Sequence, residues 1–282
     1  MSRPVGICIV VWSALGTLAM PSPALAEEDA IHPVPTWYLE SSLSARVNPL
    51  SLLLWARLGY RWPLFDDPSP FLQDTRFDVA ADVSATPAYV SGGVFAEVTP
   101  LAILKLRAGV QRLYYFGTFG YISELPDGDW SPQRLSRLED ANSGRAMPAT
   151  RMELGALLQG AIGPVVAFVD NAYAWVLTDV DDPYYDPYYD LLLEPTDAIW
   201  WISAVLGVEV VDGLVLGARW ERLATQESGV RRQTVGIVAL WNLPASWIAW
   251  GAPRVSALVG LYVDDPYRLY EPFGGLELSV RF

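Results

Sequence analysis

Cysteine, lysine and histidine are almost missing from this 282-residue chain, which holds one of each: Cys8, Lys105 and His32. A lone cysteine excludes a disulfide framework and a thiolate metal site. A lone histidine removes the side chain best suited to general-base work near neutral pH. His32 precedes every patterned segment and has no catalytic partner beside it, so no enzyme activity is expected. Basic charge is otherwise arginine, and acid outweighs it to a net −13, which argues against nucleic acid as a partner. With no His/Cys cluster, neither a metal nor a cofactor is expected.

Long apolar runs are missing too. The one candidate, residues 5–20, is shorter than the ~20 residues that span a bilayer as a helix. It follows Arg3 and precedes Pro21-Ser22-Pro23-Ala24-Leu25-Ala26. Charged, apolar and small-residue regions in that order predict a secretory signal peptide over 1–26, cleaved after Ala26. Cleavage would remove Cys8 and Arg3, leaving 256 residues of net charge −14 with no cysteine. That length suits one large β-domain.

What the chain has in abundance is alternation of period two, the signature of strands with one polar and one apolar face. Leu39, Leu43, Ala45 and Val47 oppose Glu40, Ser42, Ser44 and Arg46; Leu52, Leu54, Leu58 and Trp62 oppose Arg57, Gly59 and Arg61. Phe77, Val79, Ala81 and Val83 oppose Asp78 and Asp82, and the next two runs set Glu97, then Lys105 and Arg107, on their polar faces. Further runs carry Glu153, Asp170, Glu209, and Arg219 with Glu221; two more cover 234–241 and 255–263. The last run reads Phe273-Gly-Gly-Leu-Glu-Leu-Ser-Val-Arg-Phe282, with Leu276, Leu278, Val280 and Phe282 opposing Gly275, Glu277, Ser279 and Arg281. About twelve strands result. Most hold roughly 10 to 14 residues, longer than the ~5–6 of soluble strands and enough for the ~9–11 of a tilted membrane strand. Tryptophans and tyrosines collect near their ends, where headgroups would lie.

A signal peptide, apolar faces on long strands, and a closing strand Leu276-x-Leu278-x-Val280-x-Phe282 resemble the general class of Gram-negative outer-membrane β-barrel proteins. Phe273 departs from the class pattern, which often has a polar residue two positions before the signal glycine, Gly275. The resemblance implies an all-β fold: a single antiparallel up-and-down transmembrane β-barrel in the outer membrane, in contact with its lipid and lipopolysaccharide. It also implies insertion by the barrel-assembly machinery, which reads the signal formed by Gly275, Leu276, Leu278, Val280 and Phe282. The expected organisation is a signal peptide at 1–26, a periplasmic N-terminal tail at 27–35, and a barrel at 36–282, monomeric by default.

An even strand count puts both termini in the periplasm and sends the two longest connections, 116–148 and 179–197, outward. Tight inner turns are expected at Thr99-Pro100, Gly163-Pro164 and Asp212-Gly213.

With polar faces turned inward, the lumen would hold nine acids (Glu40, Asp78, Asp82, Glu97, Glu153, Asp170, Glu209, Glu221, Glu277) against seven bases (Arg46, Arg57, Arg61, Lys105, Arg107, Arg219, Arg281). Near-balance predicts pairing across the lumen. Two functions follow from it: a narrow channel for passive passage of small solutes or ions, or an occluded structural or surface-interaction barrel. The loop residues Asp181, Asp182, Tyr184, Tyr185, Asp186, Tyr188 and Tyr189 are candidates for surface binding, through carboxylate oxygens or by stacking of exposed tyrosines on sugars. A solvated loop of proline turns is the plainer expectation for the same residues.

Overall fold

The computed structural model describes residues 35–282 except 49, 66–68, 70, 73–74, 118–123, 142 and 245–250. The signal peptide with Ala24-Leu25-Ala26, His32, and all but the last residue of the 27–35 tail lie outside the described residues.

Fourteen strands and one helix follow in order: β1 Thr36–Val47, β2 Ser51–Pro63, β3 Arg76–Ala85, β4 Tyr89–Leu101, β5 Leu104–Tyr115, α1 Pro132–Asp140, β6 Met147–Ile162, β7 Val165–Thr178, β8 Tyr184–Asp186, β9 Leu191–Leu193, β10 Thr196–Val211, β11 Leu214–Thr225, β12 Arg231–Asn242, β13 Ala252–Asp264 and β14 Pro272–Arg281. Twelve of the strands close an antiparallel barrel in which each pairs with its neighbour in sequence, β7 with β10 across the intervening hairpin; β8 and β9 form a separate two-stranded sheet. Closure comes from β14 against β1, with Glu40 opposite Arg281 and Leu43 opposite Leu278. Phe282 completes the seam by exchanging two backbone hydrogen bonds with Leu39.

Alternation sends one set of side chains outward. Leu206, Ile237 and Val259 leave 62, 71 and 67% of their surfaces uncovered. Such exposure over every strand exceeds what a water-soluble monomer tolerates and suits contact with lipid tails. Aromatic girdles frame this band. At the end where β1 begins and β14 finishes, Trp37, Tyr60, Trp62 and Phe77 form a chain of rings with centroids 4.5 to 5.8 Å apart. At the opposite, outer end, the Trp200 indole donates to Asn171 at 2.6 Å and the Tyr173 hydroxyl to Gln226 at 2.7 Å. Rings with one apolar and one polar end belong at the headgroup level.

The turns largely follow the expected chemistry. Gly163 and Gly213 have φ of 58° and 75°, in the left-handed region that favours glycine. Thr99-Pro100 is a correction: both lie inside β4, the turn falls at 102–103, and the pairing register slips between Val98 and Leu101. A bulge tolerates proline because its missing N–H falls where the ladder is already broken.

Inward faces are less uniformly polar than the sequence suggests. Leu157, Phe168, Val205, Val215, Val238, Leu240, Leu258 and Phe273 point inward and pack together along the wall from β6 to β14. Arg151, Glu153, Asp170, Arg219 and Glu221 stand among them, and the opposing wall, β1 to β5, carries Arg57, Arg61, Asp78, Asp82 and Arg107. On that side Tyr38 lies over Gly59 and Phe95 over Gly109, where an added Cβ would sit 2.2 Å from the ring in each case. These glycines leave room for rings that fill the lumen.

Lipid contact makes a direct prediction. Ile237→Arg places a guanidinium on the lipid face near mid-strand and should cost about 2–4 kcal/mol of bilayer stability. Urea unfolding from liposomes checks it; an unchanged midpoint would refute lipid contact at this face.

Candidate functional site

The lumen is the site the fold constructs, and it is filled in layers. Towards the end where β1 begins, Arg61 donates to Asp78 at 2.8 Å, Arg76 to the same carboxylate at 3.2 Å, and Arg281 pairs with Glu40 at 3.2 Å. Tyr38 lies between Arg61 and Arg281, whose guanidinium carbons stand 5.0 and 5.3 Å from its ring. Lys105 pairs with Glu97 at 3.0 Å across neighbouring strands.

Midway, Asp82 accepts from Arg57 at 3.4 Å and Gln111 at 3.1 Å. Arg107 bridges Glu153 at 2.9 Å and Asp170 at 2.7 Å, and Arg151 takes the other oxygen of Glu153 at 3.1 Å. Arg219 pairs with Glu221, which also accepts from the Trp201 indole at 2.9 Å. Arg46 donates to the Tyr262 hydroxyl at 2.8 Å. A cavity of about 60 Å³ remains here, lined by Arg46, Arg107, Arg151, Glu153, Glu221 and Arg232 against Ala172, Ala174, Ile199 and Leu223. Charge inside a low-dielectric tube persists only when paired, and most of the lumen charges predicted from sequence meet such partners.

Two of them stand apart. Glu209 accepts from the Gly213 amide at 2.9 Å and so caps the β10–β11 turn rather than joining the network. Glu277 faces the lumen near Arg254, but no hydrogen bond or ion pair joins it to another of the described residues.

The outer layer overturns an expectation. Residues 179–195 turn into the lumen instead of outward, as the β8–β9 hairpin. Tyr184 pairs with Leu193, Tyr185 with Leu192 and Asp186 with Leu191. Tyr184, Tyr185, Asp186 and Tyr188 are buried, Asp182 and Tyr189 half-buried, and only Asp181 of the candidate loop residues is exposed. No exposed tyrosine platform exists there. The apolar run Leu191-Leu192-Leu193 supplies the reason: three leucines beside four tyrosines bury better than they hydrate. They pack on inward-facing Leu53, Tyr89, Leu113, Tyr115, Val176, Ile199 and Leu223 of the wall. From above, Trp130 stacks on Tyr185 at 5.8 Å, and Leu135 of α1 is buried in the same cluster.

Polar bonds fix this plug at three places. Asp186 accepts from the Tyr115 hydroxyl at 2.7 Å and from the amides of Tyr188 and Tyr189 at 2.6 and 3.0 Å. Asp190, at φ 58°, accepts from Tyr185 and Arg268, and pairs with Arg232 at 2.9 Å; Arg232 in turn pairs with Asp265 at 2.8 Å. Asp197 takes amide hydrogens from Glu194, Gln226, Glu227 and Ser228, tying the exit of the plug to the β11–β12 turn. Burial raises the Asp190 carboxyl, but Arg232 and Arg268 outweigh it and hold Asp190 below the usual carboxylate range. Burial pushes Asp186 up to about 6 against its hydrogen bonds.

Arg76, Arg151, Asp190, Arg232, Asp265 and Arg268 belong to this site and escaped the sequence reading. Arg151 and Arg232 share the parity of recognised inward residues, a signal strict alternation would have caught. Asp190, Asp265 and Arg268 sit in loops, where period-two patterning carries no information. Among the described residues no group of three or more His, Cys, Asp or Glu is placed to hold a metal ion.

Arg107→Met strands Asp170 without its cation and should cost about 3 kcal/mol of folding stability. Arg107→Met with Asp170→Leu should recover part of that loss. Urea titration of the two variants checks it, and equal losses would show that the bridge is not an energetic unit.

Neither a family profile nor a curated protein matches the chain. Solved structures resemble it in overall shape. The translocator domain of autotransporter NalP from Neisseria meningitidis is 12% identical over 90% of each chain, with a TM-score of 0.46. The beta domain of the Bordetella autotransporter Brka is 10% identical over 89% of this chain and 99% of its own, TM-score 0.46. An outer-membrane channel from Pseudomonas putida F1 is 11% identical over 91% of this chain and 98% of its own, TM-score 0.42. These likenesses give no residue a role. Twelve strands closed on themselves, an apolar girdled exterior and an ion-paired interior are the architecture of outer-membrane β-barrels.

Proposed function

We propose that the protein is a non-enzymatic outer-membrane channel that rests shut, exported by a signal peptide at 1–26 and inserted as a monomer through its C-terminal strand. In this reading lipid and lipopolysaccharide surround the barrel, and its permeants are small solutes or ions. The observation that carries it is the inward-folded β8–β9 hairpin, in which Tyr184, Tyr185, Leu191 and Leu193 are fully buried inside the barrel mouth. The plug is a loop insertion between two wall strands, so its departure leaves the twelve-stranded ladder intact. Below it the lumen is filled by side chains such as Tyr38, Arg57, Arg61 and Phe95, with no further backbone crossing it among the described residues.

An occluded barrel that serves only through its surface loops is the competing reading, and planar-bilayer conductance separates the two. Refolded wild-type protein should be silent, while replacing 184–193 with a short glycine-serine link should give discrete steps. Arg57→Ala in that background should enlarge them, because its guanidinium lies 4.9 Å from the Phe95 ring and narrows the bore. Frequent wild-type steps would overturn the shut state; silence of the folded deletion would overturn the channel and leave the surface-loop reading.

A further inference from the structure

The two plug carboxylates are treated oppositely by the barrel. Asp190 is matched by two guanidiniums, Arg232 and Arg268. Asp186 is equally buried, with no exposed surface, yet among the described residues no cation pairs with it. The groups facing it are the Tyr115 hydroxyl of β5, Tyr89 of β4, Arg151 of β6, and Tyr184, Tyr188 and Tyr189 of the hairpin itself. Arg151 is committed elsewhere, paired with Glu153 at 3.1 Å and lying 4.3 Å over the Tyr188 ring. A buried carboxylate that has hydrogen bonds but no counter-charge favours its neutral form, and the same group in water favours the charged one.

We infer that the hairpin is a proton-linked latch, in which protonated Asp186 holds the plug in the lumen and ionised Asp186 loosens it. The inference rests on the shut-channel reading and supplies its regulation. Burial lifts seated Asp186 from 3.8 to about 6. Between those values the seated plug therefore carries more proton than the released one. Its added stability is complete below about 4 and is lost as pH rises through about 6. Asp190 has the opposite sign, because its stabilisation is lost only as pH falls below the normal carboxylate range, outside this window. Burial holds the hairpin hydroxyls of Tyr184 and Tyr189 above the usual tyrosine range, far from this window. Raising pH from 5 to 7.5 should move the seated-to-released equilibrium about tenfold towards release.

The test reads plug release without relying on conduction. In refolded protein comprising residues 27–282, Leu193→Cys provides a single buried thiol, and Ser136→Cys on α1 a separate exposed reference. Labelling of position 193 by a membrane-impermeant maleimide, divided by that of position 136, should rise about tenfold from pH 5 to pH 7.5. Asp186→Asn should abolish this pH slope and keep labelling slow. Asp190→Asn should raise labelling at both pH values and leave the slope in place. Leu125→Cys, whose backbone amide donates to Pro183 at 2.6 Å, serves as a second probe if Leu193→Cys fails to fold. A flat wild-type ratio, or an unchanged slope in Asp186→Asn, overturns the latch. A pH-dependent ratio with a conductance-silent deletion overturns the channel and leaves the latch standing.

Discussion

A bilayer interior offers no hydrogen-bond partners, so a chain that crosses it as strands must bond every strand on both sides. Here that condition is met at the β1–β14 seam, where the first and last strands meet and Phe282 joins Leu39. Side-chain direction follows from closure. A strand in a closed ring has one face towards lipid and one towards the axis, and the period of two distributes residues between them. The exposed aliphatic band, the girdles and the inward ion pairs are consequences of a single geometric requirement.

The interior then faces a second constraint of similar weight. Guanidiniums and carboxylates enclosed by protein must be neutralised locally or displaced by apolar packing, and this barrel uses both solutions. Arg107 between Glu153 and Asp170, and Arg232 between Asp190 and Asp265, are compact charge clusters with little cost left uncompensated. On β7, β12 and β13, Phe168, Val238 and Leu258 pack as a core does in a soluble protein. Ion pairs and apolar packing together leave a narrow lumen and only a small central cavity. Among the described residues, Asp186 and Glu277 are carboxylates left without such neutralisation.

Much of the architecture was legible because strand alternation is a local signal of long duration. Runs such as 76–85 and 273–282 announce their faces without help from the rest of the chain, and twelve such runs anticipate the twelve barrel strands. Sites built from registered strands were legible for the same reason: Arg61 and Asp78 share a lumen face, and their pairing needs only the neighbouring strand. Glu209 misled because its strand ends in a turn whose Gly213 amide takes up the carboxylate. Pro100 misled because a bulge and a turn share the same residue preferences.

The sequence by itself determined the strands, their faces, the closing segment and the acid–base balance of the lumen, because each depends on residues one or two positions apart. Only the tertiary structure decided where the segment between β7 and β10 lies. Residues 179–195 hold acids, prolines and tyrosines that would serve equally well in a hydrated loop, and their inward fold depends on distant wall residues, Tyr115, Arg232 and Leu223 among them. Loop position is set by where the ring of strands brings those partners, and no local pattern encodes that distance.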